Sequence, residues 1–115
     1  MMLNGLIKGF INDESLPWES AGEGVQRKIL AYDDRLMLVK VRFKSGGVGA
    51  LHRHPHSQIT FVDSGVFEIE LDGTKQILKA GDAYYVAPEK LHGAVCIEDG
   101  MLIDAFSPNR EDFLI

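Results

Sequence analysis

Three of the four histidines and a glutamine crowd into seven residues: His52, His54, His56 and Gln58 in the run HRHPHSQ. The fourth histidine, His92, stands far along the chain. Imidazole is the commonest metal ligand near neutral pH, where it offers an uncharged nitrogen lone pair. Residues two apart on a strand project from one face, so a strand here would set the His52 and His54 rings side by side. A third imidazole arriving on another strand, His92, completes a three-nitrogen site, and Gln58 adds a neutral carbonyl oxygen. Nitrogen and oxygen donors of this kind suit one divalent ion of Mn, Fe, Co, Ni or Zn, and the residues do not choose among them. His56 has the parity of His52 and His54, but Pro55 interrupts a strand there, which leaves it an alternative ligand. The spacing alone also leaves open a histidine cluster on a solvated loop.

A second set of candidates lies near the C-terminus. In MLIDAF, Leu102, Asp104 and Phe106 alternate on one face, with Met101, Ile103 and Ala105 on the other. A carboxylate buried without a partner is costly, so Asp104 is exposed, paired with Arg27, Arg35 or Arg110, or functional. Facing a barrel interior beside a metal, it is a natural general base. Phe106 is either the wall of a pocket or plain core. The planar fork of Arg110 matches a carboxylate bidentately, against the alternative of a surface pair with Glu111 or Asp112. Arg27 is a second candidate for the same anion. Alternation turns one of Tyr84 and Tyr85 toward the same pocket.

The elements that must position these groups read as strands. From Val25 onward, short runs rich in β-branched and aromatic residues (VQRKILAY, RLMLVKVRF, SQITFVD, GVFEIEL, TKQILKA, DAYYVA, LHGAVCI, MLIDAF) recur with turn residues between them, including DD, KSGGVG, DG, AGD, PEK and EDG. This is the pattern of an all-β sandwich or barrel. Asp72-Gly73 between two alternating runs predicts a hairpin. Only SPNREDFLI has the makings of a helical turn. Residues 1–16 read as an N-terminal arm and 17–115 as one domain. The arm's interruptions at Asn4, Gly5, Lys8 and Gly9 do not make a secretory leader.

Composition narrows the function. The chain has 115 residues, a net charge of −5 and 45% hydrophobic residues, the mix of an ordinary folded domain. The acidic balance and the lack of a basic run disfavour nucleic acid as a partner. No stretch approaches the length of a membrane helix, so no membrane partner is expected. A lone cysteine, Cys96, allows no internal disulfide, which points to the cytoplasm. On the strand expected over LHGAVCI, Cys96 reads as core.

The punctuation around the histidines is more specific than the histidines. Gly46, His52, His54, Gln58 and Gly65 follow the spacing G-x5-H-x-H-x3-(E/Q)-x6-G, and a second block runs from Gly81-Asp82 through Pro88 to His92. The pair resembles the cupin superfamily, which implies a single-domain double-stranded β-helix, the jelly-roll barrel. Pro88 stands one place late, and Lys90 holds a place often taken by glycine. Gln58 replaces the usual glutamate, which leaves a metal its full charge toward the pocket and suits an anionic oxygen ligand. The tail LIDAFSPNREDFL, with LHRHPHSQITFVDSG and GDAYYVAPEKLHGAVC, resembles the KdgF-type pectin-degradation cupins from about Pro17 onward. That resemblance implies a metal-dependent enzyme that opens 4,5-unsaturated uronate monosaccharides, small anionic sugars, to linear keto-uronates. It implies metal ligation by His52, His54, Gln58 and His92, catalysis by Asp104, and substrate contacts from Arg110, Phe106 and Arg27. A homodimer is expected from the habits of the fold. The rival readings are a metal-dependent dioxygenase and a sugar- or metabolite-binding cupin without turnover.

Overall fold

The computed structural model describes residues 9–114. Eight strands follow one another: β1 (Glu19–Ser20), β2 (Val25–Tyr32), β3 (Met37–Phe43), β4 (Val48–His52), β5 (Ser57–Leu71), β6 (Thr74–Lys79), β7 (Ala83–Val86) and β8 (His92–Ser107). All pair antiparallel, in the order β1-β2-β3-β8-β5-β6, with β4 added on β8 and β7 on β5. The expected all-β architecture is what the chain forms. A short 3-10 turn over Glu111–Leu114 matches the helical turn expected in the tail.

Local chemistry explains most of these elements. Asp72 and Gly73 both take positive φ, +50° and +91°, so the tight turn closes Leu71 onto Thr74. Phe67 and Ile69 point inward and are buried, as their alternation demands. The core they join includes Val25, Phe43, Val62, Cys96 and Leu102, and a second cluster gathers Tyr32, Met37, Val39 and Phe106. Cys96 is therefore core. Of the expected arm over 1–16, residues 1–8 lie outside the described residues. Asp13 is held by Lys28 at 3.1 Å and Lys40 at 3.0 Å, which ties that segment to the sheet.

Two expectations change. Glu98-Asp99-Gly100 does not separate two strands, and neither does Ser64; β5 and β8 each run through as one long strand. The register of their pairing shifts between Val62 and Phe67, where the ladder is bulged and Ser64 faces Met101. Bulges bend a strand without ending it, and they draw on the same glycines as turns. Here Gly65 has a φ of +82°, and an added Cβ would lie 2.6 Å from the carbonyl oxygens of Glu98 and Asp99. The Gly100 position is closed in the same way by Ser64. The second change concerns His54, which lies beyond the end of β4 and not on the strand with His52.

The bend decides where the site forms. Leu71 pairs with His92 at one end of the β5–β8 ladder, and Gln58 pairs with Phe106 at the other. His52, Gln58, His92, Asp104 and Phe106 nonetheless line one cavity, so the ladder curls until its two ends meet. Gly65→Ala is expected to cost about 1–3 kcal/mol through its positive φ and the crowded carbonyls. A drop of roughly 5 °C or more in thermal midpoint is the readout, and an unchanged midpoint would show that the bend tolerates a side chain.

Candidate functional site

The three histidines His52, His54 and His92 present ring nitrogens that all lie within 4.8 Å of one another. They come from different places: His52 from the end of β4, His92 from the start of β8, and His54 from the loop between β4 and β5. His52 and His92 are direct partners across the ladder, and their ring centroids are 4.3 Å apart. His54 is 4.7 Å from His92.

Backbone carbonyls orient each ring. His52 Nδ1 lies 2.8 Å from Ala50 O, His54 Nδ1 3.1 Å from His56 O, and His92 Nδ1 2.9 Å from Lys90 O. A carbonyl only accepts, so Nδ1 carries a hydrogen in all three, and in the neutral ring the lone pair is then on Nε2. Burial reinforces this. The His92 pKa is pushed down to about 4, chiefly by desolvation, and that of His54 is lowered for the same reason. Both rings therefore stay neutral at ordinary pH.

Two features show that these residues fit a cation. His92 Nε2 is buried with no hydrogen-bond partner among the described residues. Gln58 Oε1 sits 2.9 Å from His54 Nε2, while the Gln58 amide nitrogen donates to Thr60 Oγ1 at 2.7 Å. That leaves two acceptors facing each other, a pairing that a shared cation relieves. The histidine triad can hold a metal ion, and Gln58 is placed to join it.

His56 is not part of the cluster. It is buried behind His54, with ring centroids 5.3 Å apart, and its nearest charge is Glu111 at 3.5 Å, too long for a strong hydrogen bond. Its ring nitrogens have no hydrogen-bond partner among the described residues.

The cavity, about 410 Å³, also receives Arg27, Tyr84, Arg110, Asp112 and Phe113. Asp104 faces it as alternation requires, but its hydrogen-bond partner is Thr60 at 2.5 Å and not an arginine. Desolvation pushes its pKa up to about 6, against the Thr60 hydrogen bond and the charge of Arg110. Arg110 is 8% exposed, and Asp112 takes its Nε and Nη2 at 3.0 and 2.8 Å. The surface pair weighed for Arg110 thus exists, but with a nearly buried guanidinium. Its Cζ lies over the Phe106 and Phe113 rings, 5.1 and 4.3 Å from their centroids. Arg27 stacks on Phe113 at 3.8 Å and bonds Glu19 through Nε at 2.7 Å. Phe106 is both core and wall, packed edge-on to His54 and Phe113. Of the two tyrosines, Tyr84 lines the cavity and Tyr85 is exposed, and burial raises the Tyr84 pKa. Thr60 and Phe113 were not foreseen. Thr60 had a signal in its inward parity with Gln58, whereas Phe113 had only its place beside Arg110 in the tail.

An antiparallel β-barrel with a histidine cluster drawn from two sequence blocks defines a class. Residues 39–104 match the family model described as a cupin domain. The chain is 50% identical over 107 residues to the pectin degradation protein KdgF of Dickeya dadantii (strain 3937), covering 91% of this chain and 96% of that one. It therefore belongs to the cupins, and within them to the KdgF-type group. The structure of KdgF from a Halomonas species superposes with a TM-score of 0.88 at 42% identity, over 92% of this chain and 98% of that one. An RmlC-like cupin from Shewanella frigidimarina gives 0.89 at 43% identity, over 92% and 96%. Among the described residues, no helix is long and apolar enough to cross a membrane.

The geometry predicts which histidines matter to a metal. His54→Ala and His92→Ala should lose bound metal by elemental analysis, while His56→Ala keeps it. Zinc at about one hundred times its dissociation constant should add roughly 2.7 kcal/mol to the stability of metal-stripped protein. Full metal content in His92→Ala would remove the triad as the site.

Proposed function

We propose that the protein converts 4,5-unsaturated uronate monosaccharides to linear keto-uronates, a step in the breakdown of pectin or alginate. The observation that carries this reading is the meeting, in one cavity, of His52 and His92 from the histidine triad, an Asp104 not paired with an arginine, and an Arg110 backed by aromatic rings. Similarity to proteins named KdgF supports it. A neutral ligand set fits an anionic oxygen substrate and suits oxygenase chemistry less well.

The chemistry is an isomerisation. The hemiacetal hydroxyl loses its proton, its oxygen becomes the aldehyde carbonyl as the ring C–O bond breaks, and the ring oxygen leaves as an enolate. Proton return to carbon then gives the ketone, so no oxidant is consumed. Asp104, ionised above about pH 6, takes the hydroxyl proton and returns it. Arg110 and Arg27 hold the carboxylate, and Phe106 packs against the sugar ring. A bound divalent cation supplies Lewis acidity toward oxygens on which negative charge develops.

The test follows the loss of double-bond ultraviolet absorbance from an unsaturated galacturonate or mannuronate monomer. Wild type should exceed the uncatalysed rate, and Asp104→Asn should lose roughly 10²–10⁴-fold. A base must be ionised, so kcat/KM should fall as pH drops through about 6. Arg110→Lys should raise KM, because an ammonium cannot replace a planar fork. If wild type and Asp104→Asn both follow the uncatalysed rate, the ring-opening reading fails.

Assembly is read from the outer face. Leu38, Ala105, Ile59 and Tyr85 stand opposite one another in a row across β3, β8, β5 and β7, all exposed. This apolar row supports a homodimer. Sedimentation should give twice the chain mass of 12.8 kDa, and the single mass would overturn it.

A further inference from the structure

A hydrogen-bond chain runs from Gln58, beside the histidine cluster, to Asp104. Gln58 and Thr60 share the inward face of β5, and Thr60 stands directly opposite Asp104 on β8. The Gln58 amide nitrogen donates to Thr60 Oγ1 at 2.7 Å, and Thr60 Oγ1 donates to Asp104 Oδ1 at 2.5 Å. Gln58 is 5% exposed and Thr60 is 0%, so the Gln58–Thr60 bond is shielded from water, while the Asp104 end opens to the cavity.

The direction of the chain follows from its chemistry. An amide nitrogen has only hydrogens to offer, so the hydroxyl oxygen must accept from Gln58. The one hydroxyl hydrogen is then committed to the carboxylate, the strongest acceptor in reach. A glutamate at position 58 has no hydrogen to give. The Thr60 hydroxyl would then stand between two carboxylates with a single hydrogen to share.

We propose that Thr60 is a positioning residue for proton transfer by Asp104, and that Gln58 is required at its position because its amide sets the direction in which the Thr60 hydroxyl donates. This rests on the reading of Asp104 as the group that moves the proton. Thr60 holds Oδ1, leaving Oδ2 to exchange the proton. It also favours the ionised carboxylate in a wall that otherwise resists charge. The other titratable groups at this cavity are Arg27 from β2, His52 from β4, Tyr84 from β7, His92 from β8, and Arg110 and Asp112 from the tail. Arg110 acts on Asp104 in the same sense as Thr60, and Tyr84 lies against the Thr60 hydroxyl. The chain also accounts for the departure at position 58: the amide can place its oxygen at the histidines only while its nitrogen has Thr60 to bond.

The test reads Asp104 directly, by carboxyl carbon NMR of zinc-loaded protein labelled at aspartate, with no substrate present. Thr60→Val should move the Asp104 midpoint upward by about one pH unit. It should also lower kcat on an unsaturated uronate roughly tenfold with KM nearly constant, at unchanged zinc content. Thr60→Ser should restore both. Gln58→Glu should keep zinc and raise the midpoint, but by much less when Thr60 is already valine, because its effect passes through the hydroxyl. An unmoved midpoint in Thr60→Val, or a loss that Thr60→Ser does not rescue, overturns the role of Thr60. Fully additive shifts overturn the role of Gln58. If Thr60→Val does not fold, Gln58→Glu decides: an unmoved midpoint overturns the inference and a raised one supports it. Should the wild type turn over no uronate, the proton-transfer reading fails on its own, while the midpoints still report whether Thr60 holds Asp104.

Discussion

The pairing of β5 with β8 is the constraint on which everything else depends. It supplies the inward-facing Gln58 and Thr60 from one strand and His92, Asp104 and Phe106 from the other. Neither strand end reaches the other along a flat ladder. They meet because the ladder is bent at its bulges, where Gly65 and Gly100 admit backbone too close for any side chain. A twisted antiparallel pair bent in this way closes toward a barrel and turns a linear register into a cavity.

Within that cavity, the residues differ in how firmly they are held. Each histidine of the triad is fixed by a backbone carbonyl two residues away, so tautomer and direction are set by short-range geometry. Asp104 is held across the ladder by Thr60. It is the one carboxylate whose surroundings push its pKa well upward, while those of Asp13, Asp33 and Asp112 are lowered by their partners. The net charge of −5 is thus a poor guide to the cavity, where Arg27 and Arg110 stand beside Asp104 and Asp112.

Much of this was legible in the chain, and the failures have physical causes. Alternation placed Phe67, Asp104 and Phe106 inward, because strand periodicity is imposed by the backbone alone. The Asp72-Gly73 hairpin was legible because few dipeptides accept two positive φ values. Glu98-Asp99-Gly100 was misread as a turn because a bulge and a turn call on the same residues, and only pairing across the ladder tells them apart. His54 reaches the cluster from a loop, where parity has no force. Thr60 was invisible since a neutral hydroxyl attracts no notice without its neighbours. The commitment of Arg110 to Asp112 is a fact of tail geometry that spacing offers only as one of two partners.

The stacking of Arg27 and Arg110 on the Phe113 ring has a consequence for recognition. An arginine side chain ordinarily surrenders close to 2 kcal/mol of rotamer freedom when it is immobilised. Here both guanidiniums are already anchored at Nε by Glu19 and Asp112 and braced by one aromatic plane. The entropic toll of ordering them falls on folding and not on association. On the proposed reading, an arriving anion meets two guanidiniums already in place, and its affinity is not diluted by the cost of assembling its own receptor.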